Sequence, residues 1–252
     1  MQVKQFLSLA CLLTPLMAAA LPDEQLNVHF RRGQEIPHDQ VRVIPESLPN
    51  DNIGRNMKRF QPYFNNEGGG GCWPYPAVDS DGNWSGGLKP SGKESGDCRN
   101  SVGQVYVRGA WYKGRYGIMY TWFAPKDETG VGGGHRYEWE GAVIWVNNPN
   151  VPDAKMVGGA VSAHHGWKTT TNIAGDVSFY QGHPLCKYYV DTAVFGTHRI
   201  GWTDKVGGLQ PAVAWEQLPA PARNALLSTD WGHATFMLGY GFVDHLANAY
   251  PF

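Results

Sequence analysis

Apolar and aromatic side chains recur at every second position along several stretches, and this alternation constrains the fold more than any other feature. Val105 and Val107 alternate with residues 104, 106 and 108, and the stretches 118–123 and 138–145 show the same period. A period of two is that of a β-strand, whose successive side chains point to opposite faces. Residues 157–163 and 185–194 are further candidate strands. The sequence therefore predicts a mainly β protein with a β-sandwich architecture.

Helices are predicted only at the periphery of this sheet structure. Residues 50–52 can cap a helix whose apolar positions follow helical spacing. These positions are Ile53, Met57 and Phe60. Further helices are predicted after Pro219 and within 242–249. Residues 21–50 contain four prolines and no sustained period, so we expect an extended segment there. Residues 51–252 are predicted to form one domain.

The first twenty residues have the features of a secretory signal peptide. Lys4 supplies the positive charge, the apolar run extends from Phe6 to Leu16, and alanines at 18–20 provide the small residues of a cleavage site. The apolar run is too short to span a bilayer as a helix. We therefore expect a secreted, extracellular protein whose mature chain begins near Leu21.

The charge balance excludes one class of partner. The formal net charge is −1, and charged residues make up 17% of the chain. A protein that binds nucleic acid needs an excess of Lys and Arg to neutralise phosphates. Because this chain has no such excess, no nucleic-acid partner is expected, and bulk charge gives no reason for adsorption to anionic membranes.

Three cysteines remain once the signal peptide, which contains Cys11, is removed. We predict a disulfide between Cys72 and Cys98, which closes a loop rich in Gly, Ser and Asp. A loop of that length contributes about 3–4 kcal/mol of stability in the chain-entropy treatment. Cys186 lies in a predicted strand and is then left over. It is either a buried, inert thiol or a partner for an intermolecular disulfide.

A cluster of acids follows a glycine-rich loop in the middle of the chain. Glu138 and Glu140 project from the same face of a strand, and the loop 130–134 can fold Asp127 and His135 back over that face. Clustered carboxylates repel one another unless a cation lies between them. Mg²⁺ and Ca²⁺ prefer oxygen ligands and tolerate one imidazole, whereas three carboxylates with one His are a poor zinc site. The alternative is a solvated acidic strand face.

The same region carries a recognisable signature. Gly117-Ile118-Met119-Tyr120-Thr121-Trp122-Phe123-Ala124-Pro125-Lys126-Asp127 is followed by Gly134-His135-Arg136-Tyr137-Glu138-Trp139-Glu140, with Asp127 and His135 eight positions apart. This resembles the necrosis- and ethylene-inducing peptide 1-like proteins, the NPP1 family. Their heptapeptide Gly-His-Arg-His-Asp-Trp-Glu follows a Met-Tyr and Pro-Lys-Asp segment at a fixed distance. Similarity continues through residues 162–167, 215–218 and 230–234.

The resemblance implies a fold, a cofactor and a target. The fold is a single-domain β-sandwich like that of the actinoporins, and the cofactor is a divalent cation in a negatively charged cavity. The implied ligands, direct or through water, are Asp127, His135, Glu138 and Glu140. The implied targets are glycosylated sphingolipids of plant plasma membranes, whose headgroup sugar reaches the cation. Family members of the two-cysteine type have one disulfide, which matches Cys72 and Cys98.

The chain departs from the family pattern at three positions. Tyr137 replaces the second His of the heptapeptide, and Glu138 replaces its Asp and is longer by one methylene. The family's membrane-contacting loop has a Trp four residues before a His. Here His198 is present, but Val194 occupies the Trp position beside Phe195. An aromatic ring suits a membrane interface, so Phe195 can substitute only in part.

Several neighbours of the predicted ligands are expected to support the cation or contact the headgroup. We expect Arg136 to orient a carboxylate, and Tyr137 to lie beside the ligands. His198 and Phe195 are expected to contact the headgroup. His164 is expected either to support the cation site from behind or to be an ordinary loop histidine.

The preferred function is a cytolytic effector that binds sphingolipid headgroups through the cation and permeabilises the plant plasma membrane. The runner-up is a member that does not lyse cells and acts as an immune elicitor, because residues 117–140 resemble the segment that plant receptors detect in this family. A metal-dependent polysaccharide lyase or hydrolase ranks lower. The chain has neither a Gly-x-Ser-x-Gly nor a His-Glu-x-x-His motif, so no enzymatic activity is expected.

Overall fold

The computed structural model describes residues 33–66, 70–129, 134–164, 166–191 and 197–252. The predicted signal peptide and residues 21–32 lie outside these ranges. So do most of the glycine-rich loop, Val194 and Phe195. Among the described residues, no helix combines the length and the apolar character that crossing a bilayer requires.

The described residues form β-strands for the most part, with short helices between them. The strands are β1 (Glu35–Ile36), β2 (Tyr63–Asn66), β3 (Trp84–Ser85), β4 (Val105–Tyr112), β5 (Arg115–Asp127), β6 (His135–Val146), β7 (Met156–Ala163), β8 (Gly166–Thr170), β9 (Phe179–Tyr180), β10 (His183–Asp191), β11 (Thr197–Trp202) and β12 (Ala212–Ala214). The α-helices are α1 (Asn52–Arg59), α2 (Ile173–Asp176), α3 (Ala220–Ser228) and α4 (Phe242–Asn248), and a 3₁₀ turn spans Trp215–Gln217.

A six-stranded sheet in the order β12-β4-β5-β6-β7-β8 organises the domain. β12 is parallel to β4, and the other neighbours are antiparallel. The β5–β6 hairpin is the longest pair. Its register places Asp127 opposite His135 at the loop end of the hairpin, where the chain passes from β5 to β6. The predicted strands over 105–108, 118–123, 138–145 and 157–163 all belong to this sheet, which confirms the alternation argument.

A second sheet packs against one face of the first. Its order is β11-β10-β2, with β2 parallel to β10 and β9 pairing with the start of β10. Ile118 and Tyr120 of β5 share a core with Phe64 of β2, Tyr188 of β10 and Ile200 of β11. Two sheets that bury a common core are a β-sandwich, so the predicted fold class is confirmed.

The opposite face of the six-stranded sheet is covered by helices and the C-terminal chain. Met119 and Phe123, which alternate with the residues of the other core, pack here with Leu226 of α3, Leu246 of α4 and Trp231. β5 is therefore buried on both faces. The helices are peripheral, as predicted.

The sequence signals for the helix ends are also found in the structure. Asp51 caps α1 and accepts a hydrogen bond from the Gly54 N–H at 2.9 Å. α1 ends at Arg59, with Phe60 as its C-cap, just before Pro62. α3 begins directly after Pro219, and α4 covers most of the predicted 242–249 helix.

The predicted disulfide is present between Cys72 and Cys98, and both residues are buried. The Trp73 N–H donates to the Cys98 carbonyl at 2.9 Å, which ties the two ends of the loop together beside the bridge. Cys186 is a free thiol whose side chain is fully buried in β10. Burial raises the pKa of this thiol and keeps it from other molecules, which favours the inert interpretation over intermolecular pairing.

Candidate metal centre

The loop end of the β5–β6 hairpin brings an acid and an imidazole together. β5 ends at Asp127 and β6 begins at His135, and the two residues are cross-strand partners. Glu138 follows three positions later in the same strand. One ligand atom from each of these three side chains lies within 4.8 Å of the other two. Three of the four predicted ligands therefore converge.

His135 Nε2 lies near one oxygen of each acid, at distances longer than a normal hydrogen bond. His135 Nε2 lies 3.5 Å from Asp127 Oδ2 and 3.4 Å from Glu138 Oε2. Hydrogen bonds from N–H groups to oxygen are normally 2.7–3.2 Å long. His135 Nε2 is thus close to both carboxylates without a normal hydrogen bond to either.

The second nitrogen of His135 fixes which ring atom faces the acids. His135 Nδ1 lies 2.8 Å from the Tyr137 carbonyl oxygen, which can only accept a hydrogen bond. Nδ1 therefore donates this hydrogen bond, and Nε2 is the ring atom that faces the two acids. A histidine that binds a metal typically donates its other N–H to a carbonyl in this way. The ring is oriented as a ligand.

A backbone kink at Tyr137 creates this arrangement. In a regular strand, residues 135, 137 and 139 would share one face. Tyr137 has φ of 66°, a left-handed value unusual for a residue with a side chain. Tyr137 and Trp139 still pack together in the helix-side core, but His135 turns to the face of Glu138. Backbone strain of this kind costs about 1–3 kcal/mol and is typical of functional sites.

His198 of β11 holds Asp127 from beneath. His198 Nδ1 is hydrogen-bonded to Asp127 Oδ1, and Nε2 lies 2.7 Å from the Gly70 carbonyl oxygen. The ring is stacked on Tyr188, with centroids 4.6 Å apart. Each ring nitrogen of His198 thus has an oxygen atom as its hydrogen-bond partner. Asp127 Oδ1 is thereby fixed, and Oδ2 is left facing His135.

The side chain of His198 has no exposed surface, although we expected it to contact a headgroup. In the described structure it positions an acid of the cluster, and its contact with a headgroup stays a prediction. The predicted contact from Phe195 falls outside the described residues.

The two glutamates of β6 occupy different depths. Glu138 Oε1 accepts the Trp139 N–H at 2.9 Å, while Oε2 faces His135. Glu140 lies deeper, opposite Trp122, and its carboxylate accepts a hydrogen bond from the Ser162 hydroxyl. Glu140 is thus outside the group of three and stands behind it.

Burial in a shared acidic site disfavours the charged forms of both glutamates. Desolvation raises the pKa of the Glu138 carboxyl well above its usual range, and the Glu140 and Asp127 charges raise it further. Desolvation also raises the pKa of Glu140, helped by the Asp127 charge and opposed by the Ser162 hydrogen bond. The same acids add to burial in raising the pKa of the Tyr188 hydroxyl. A cation bound among these carboxyl groups would favour their charged forms.

Three predicted supporting residues lie elsewhere. Arg136 donates to Glu35 Oε1 at 2.7 Å and to the Gly86 carbonyl, so the carboxylate that it orients is outside the cluster. The Tyr137 ring is buried against Phe123 and Trp231 on the opposite face of the sheet, because the kink separates it from His135. His164 is exposed in the turn between β7 and β8.

Two buried polar residues at the site were not singled out by sequence reasoning. Ser162 supports Glu140, and a serine among the small apolar residues of β7 was the available signal. Lys126 is buried, and its ammonium donates to the Ser91 carbonyl at 3.0 Å and the Lys93 carbonyl at 2.9 Å. This lysine anchors the disulfide loop on the hairpin. A lysine within the apolar run of β5 was its signal.

The chain is similar to proteins of one family over most of its length. The family model "Necrosis inducing protein (NPP1)" matches residues 54–249. NLP effector protein 10 of Phytophthora capsici is 37% identical over 222 residues, which cover 87% of this chain and 93% of that protein. Necrosis-inducing protein NPP1 of Phytophthora nicotianae is 34% identical over 241 residues, covering 94% of this chain and 98% of that protein. These names describe effectors and necrosis-inducing proteins, not enzymes.

Solved structures of the family have the same fold. NLPPya in complex with mannosamine superposes with a TM-score of 0.78 at 38% identity, covering 86% of this chain and 99% of that one. The non-toxic HaNLP3 protein superposes with a TM-score of 0.80 at 32% identity, covering 85% of this chain and 99% of that one. The matched region contains the whole hairpin and the strands beneath it. This chain belongs to the NPP1 family of necrosis-inducing proteins.

Proposed function

We propose that this protein is a secreted effector that binds a divalent cation through Asp127, His135 and Glu138 and uses it to hold a glycosylated sphingolipid headgroup of the plant plasma membrane. Loops around the site then press into the bilayer and permeabilise it. The observation that carries the proposal is the convergence of three side chains, in which His135 Nε2 lies 3.5 Å from Asp127 Oδ2 and 3.4 Å from Glu138 Oε2.

The spacing of the three atoms suits a hard divalent cation. Two ligand atoms at right angles around Ca²⁺ lie about 3.4 Å apart, and around Mg²⁺ about 3.0 Å apart, given the bond length that each ion prefers. Ca²⁺ fits without rearrangement, and Mg²⁺ fits after a contraction of about half an ångström. Glu140 lies close enough to add negative charge, directly or through water, as the resemblance to the family implied.

A cation held by three side chains keeps coordination positions for other oxygens. Both Ca²⁺ and Mg²⁺ take at least six ligands, so water or sugar hydroxyls complete the shell. The His135 side chain is 27% exposed, and the cluster therefore reaches the surface. Relatives in complex with mannosamine and with glucosamine support a sugar as the group that binds there.

The experiment compares wild type with Asp127→Asn, which keeps the shape of the side chain and removes its charge. We expect wild type to bind Ca²⁺ or Mg²⁺ in calorimetry and to release dye from vesicles that contain plant glycosylated sphingolipids. Chelation and Asp127→Asn should each abolish both signals. Asp153→Asn, a charge loss at an exposed loop residue, is the matched control. Leakage that persists under chelation would remove the cation from the mechanism.

A second candidate is a member that elicits immunity without lysis. It is favoured by the close structural match to the non-toxic HaNLP3 protein and by Val194 at the position of the family's Trp. Residues 117–127 of β5 are buried along their whole length, so a receptor could read this segment only after the fold is opened or cleaved. Leaf infiltration distinguishes the two candidates. Immune signalling without electrolyte leakage, retained by a peptide of residues 117–140, supports the elicitor.

A further inference from the structure

We infer that the tip of the β4–β5 hairpin, together with the C-terminal residues beside it, is a second binding surface, which takes an acidic polysaccharide built from uronic acids. Exposed aromatic rings and two exposed cations meet there. This hairpin-tip surface consists of Trp111, Tyr112, Lys113, Arg115, Tyr250 and Phe252. It shares no residue with the carboxylate cluster, so the inference goes beyond the proposed function.

The hairpin tip is held in one shape by its turn and by the C-terminal chain. Lys113 and Gly114 both have left-handed φ values, 44° and 78°, which are those of the two-residue turn favoured between antiparallel strands. Tyr112 and Arg115 pair across this turn. The Tyr250 hydroxyl donates a hydrogen bond to the Lys113 carbonyl at 3.1 Å, which fixes the C-terminal chain against the tip. A ligand would therefore meet a surface that is already ordered.

The two cations at the tip have no acidic partner in the part of the chain that the structure describes. There, no carboxylate lies within 4.0 Å of Lys113 or Arg115. Lys113 Nζ lies 5.3 Å from the centre of the Tyr112 ring and 5.6 Å from that of Tyr250. The Arg115 guanidinium lies 5.4 Å from the centre of the Phe252 ring. An aromatic face attracts a cation but has no net charge, so both positive charges remain available to an anion.

The rings beside these cations select the kind of anion. Trp111 is 53% exposed and Phe252 is 50% exposed, on either side of the charged turn. Each unit of a polyuronide has one carboxylate and a sugar ring with an apolar C–H face. The carboxylate suits a guanidinium or an ammonium group, and the C–H face suits an exposed aromatic ring. Inorganic phosphate would use the cations and leave both rings in water.

The position of the tip favours a polysaccharide over the membrane as the partner. β5 begins at Arg115 and ends at Asp127, and its twelve residue steps of about 3.4 Å span about 40 Å. The hairpin tip and the carboxylate cluster thus lie at opposite ends of one strand. A protein that holds a bilayer at the carboxylate cluster presents the hairpin tip to the surrounding medium, where a polysaccharide can reach it.

The experiment measures the binding of a short oligogalacturonate by calorimetry, in the presence of a chelator so that no divalent ion links the probe to the carboxylate cluster. Wild type should bind it, and should not bind a maltooligosaccharide of the same length. Lys113→Gln combined with Arg115→Gln should weaken binding at least tenfold, or about 1.4 kcal/mol, and Trp111→Ala about threefold. The matched control combines Lys89→Gln with Lys168→Gln, which removes two exposed positive charges elsewhere and should bind like wild type.

Each other outcome overturns the inference. Equal weakening in the Lys89 and Lys168 variant would mean that only net charge matters. Unchanged binding in Trp111→Ala would mean that the sugar rings do not contact the tip. If vesicles of phosphatidylcholine and phosphatidylserine bind more tightly than the oligogalacturonate and depend on Lys113 and Arg115, the partner is a lipid surface. If wild type does not bind the oligogalacturonate, the surface is wrong.

A further variant separates this inference from the proposed function. Asp127→Asn should lose cation binding and should still bind the oligogalacturonate like wild type, because the altered side chain lies at the other end of β5. Failure at the hairpin tip therefore leaves the cation site standing, and failure of the cation site leaves the hairpin tip standing. Loss of oligogalacturonate binding in Asp127→Asn would place the polysaccharide at the carboxylate cluster and overturn the hairpin-tip surface.

Discussion

The two ends of the β5–β6 hairpin are built on opposite principles. At the end away from the loop, three residues are fully buried among apolar and aromatic neighbours on both faces of the sheet. These residues are Ile118, Ile144 and Trp145. At the loop end, Asp127 and Glu138 are crowded together beside Tyr137, which has a left-handed backbone conformation. Burial of apolar side chains at the first end lowers the free energy of the fold, whereas crowded carboxyl groups at the second end raise it.

The difference teaches how one hairpin can carry an unfavourable site. Like charges that are buried together repel, and the Tyr137 kink adds strain of about 1–3 kcal/mol. The aromatic core on both sides of β5 and β6 keeps the strands in register despite these costs. The side chains of the candidate site are therefore held in position by the surrounding core, which would lower the ordering cost of binding a cation.

The largest expected effect lies at the core end. Ile144→Ala should lower the free energy of unfolding by about 2–5 kcal/mol, because it removes buried methyl groups and leaves a cavity. The affinity of the folded protein for Ca²⁺ should not change. Chemical denaturation and calorimetry measure the two quantities. Val206→Ala, an exposed position, is the control and should shift stability by less than about 0.5 kcal/mol. A parallel loss of cation affinity in Ile144→Ala would show that the two ends are not independent.

The second effect is stabilisation by the cation itself. At a free concentration one hundred times its dissociation constant, an ion that binds only the folded state adds about 2.7 kcal/mol. The melting temperature of wild type should rise accordingly with Ca²⁺ or Mg²⁺ and fall with chelator. Asp127→Asn should lose this response, since one ligand and one charge are missing. A response of equal size in the variant would show that the ion binds elsewhere.

The two ends of the β5–β6 hairpin are not equally predictable from the sequence, and the reason is physical. The core end follows from a local pattern, since alternation at 118–123 and 138–145 reports which residues face a sheet. The sequence also predicted that Asp127, His135 and Glu138 come together, because a hairpin brings residues on either side of its loop into contact. Short elements such as β12 and β2 were not predicted, because they are held by pairing with strands distant in sequence.

The supports of the site depend on long-range packing and were out of reach. His198 contacts Asp127 across 71 positions of sequence, and nothing local to either residue predicts the contact. The left-handed backbone at Tyr137 is imposed by the aromatic core that holds its ring. Residue type alone argues against that conformation, since glycine or asparagine is usual there. The candidate ligands can therefore be predicted from the sequence, whereas their orientation depends on packing between distant parts of the chain.

The third prediction concerns the histidine that positions Asp127. His198→Gln should weaken cation binding about ten- to hundredfold, the usual cost of losing a partner that orients a ligand. The reason is that Asp127 Oδ1 loses the imidazole ring that holds it, and the carboxylate can rotate. Calorimetric titration with Ca²⁺ measures the effect. His164→Gln, at the exposed histidine of the β7–β8 turn, is the matched control. Equal weakening by His164→Gln would show that His164 also supports the cation site, so that the turn after β7 belongs to it.

The smallest expected effect on cation binding is at Ser162, and it tests where the site ends. The Ser162 hydroxyl donates to the Glu140 carboxylate and accepts the Gly141 N–H at 2.8 Å. Ser162→Ala leaves both buried groups without this partner and should cost about 1–3 kcal/mol of stability. Because Glu140 stands behind the three converging ligands, Ca²⁺ affinity should change less than about threefold, or 0.7 kcal/mol. Ser178→Ala, on the partly exposed approach to β9, is the control. A tenfold change in affinity would place Glu140 among the direct ligands. The cation site would then extend deeper into the sheet, from Glu138 to Glu140.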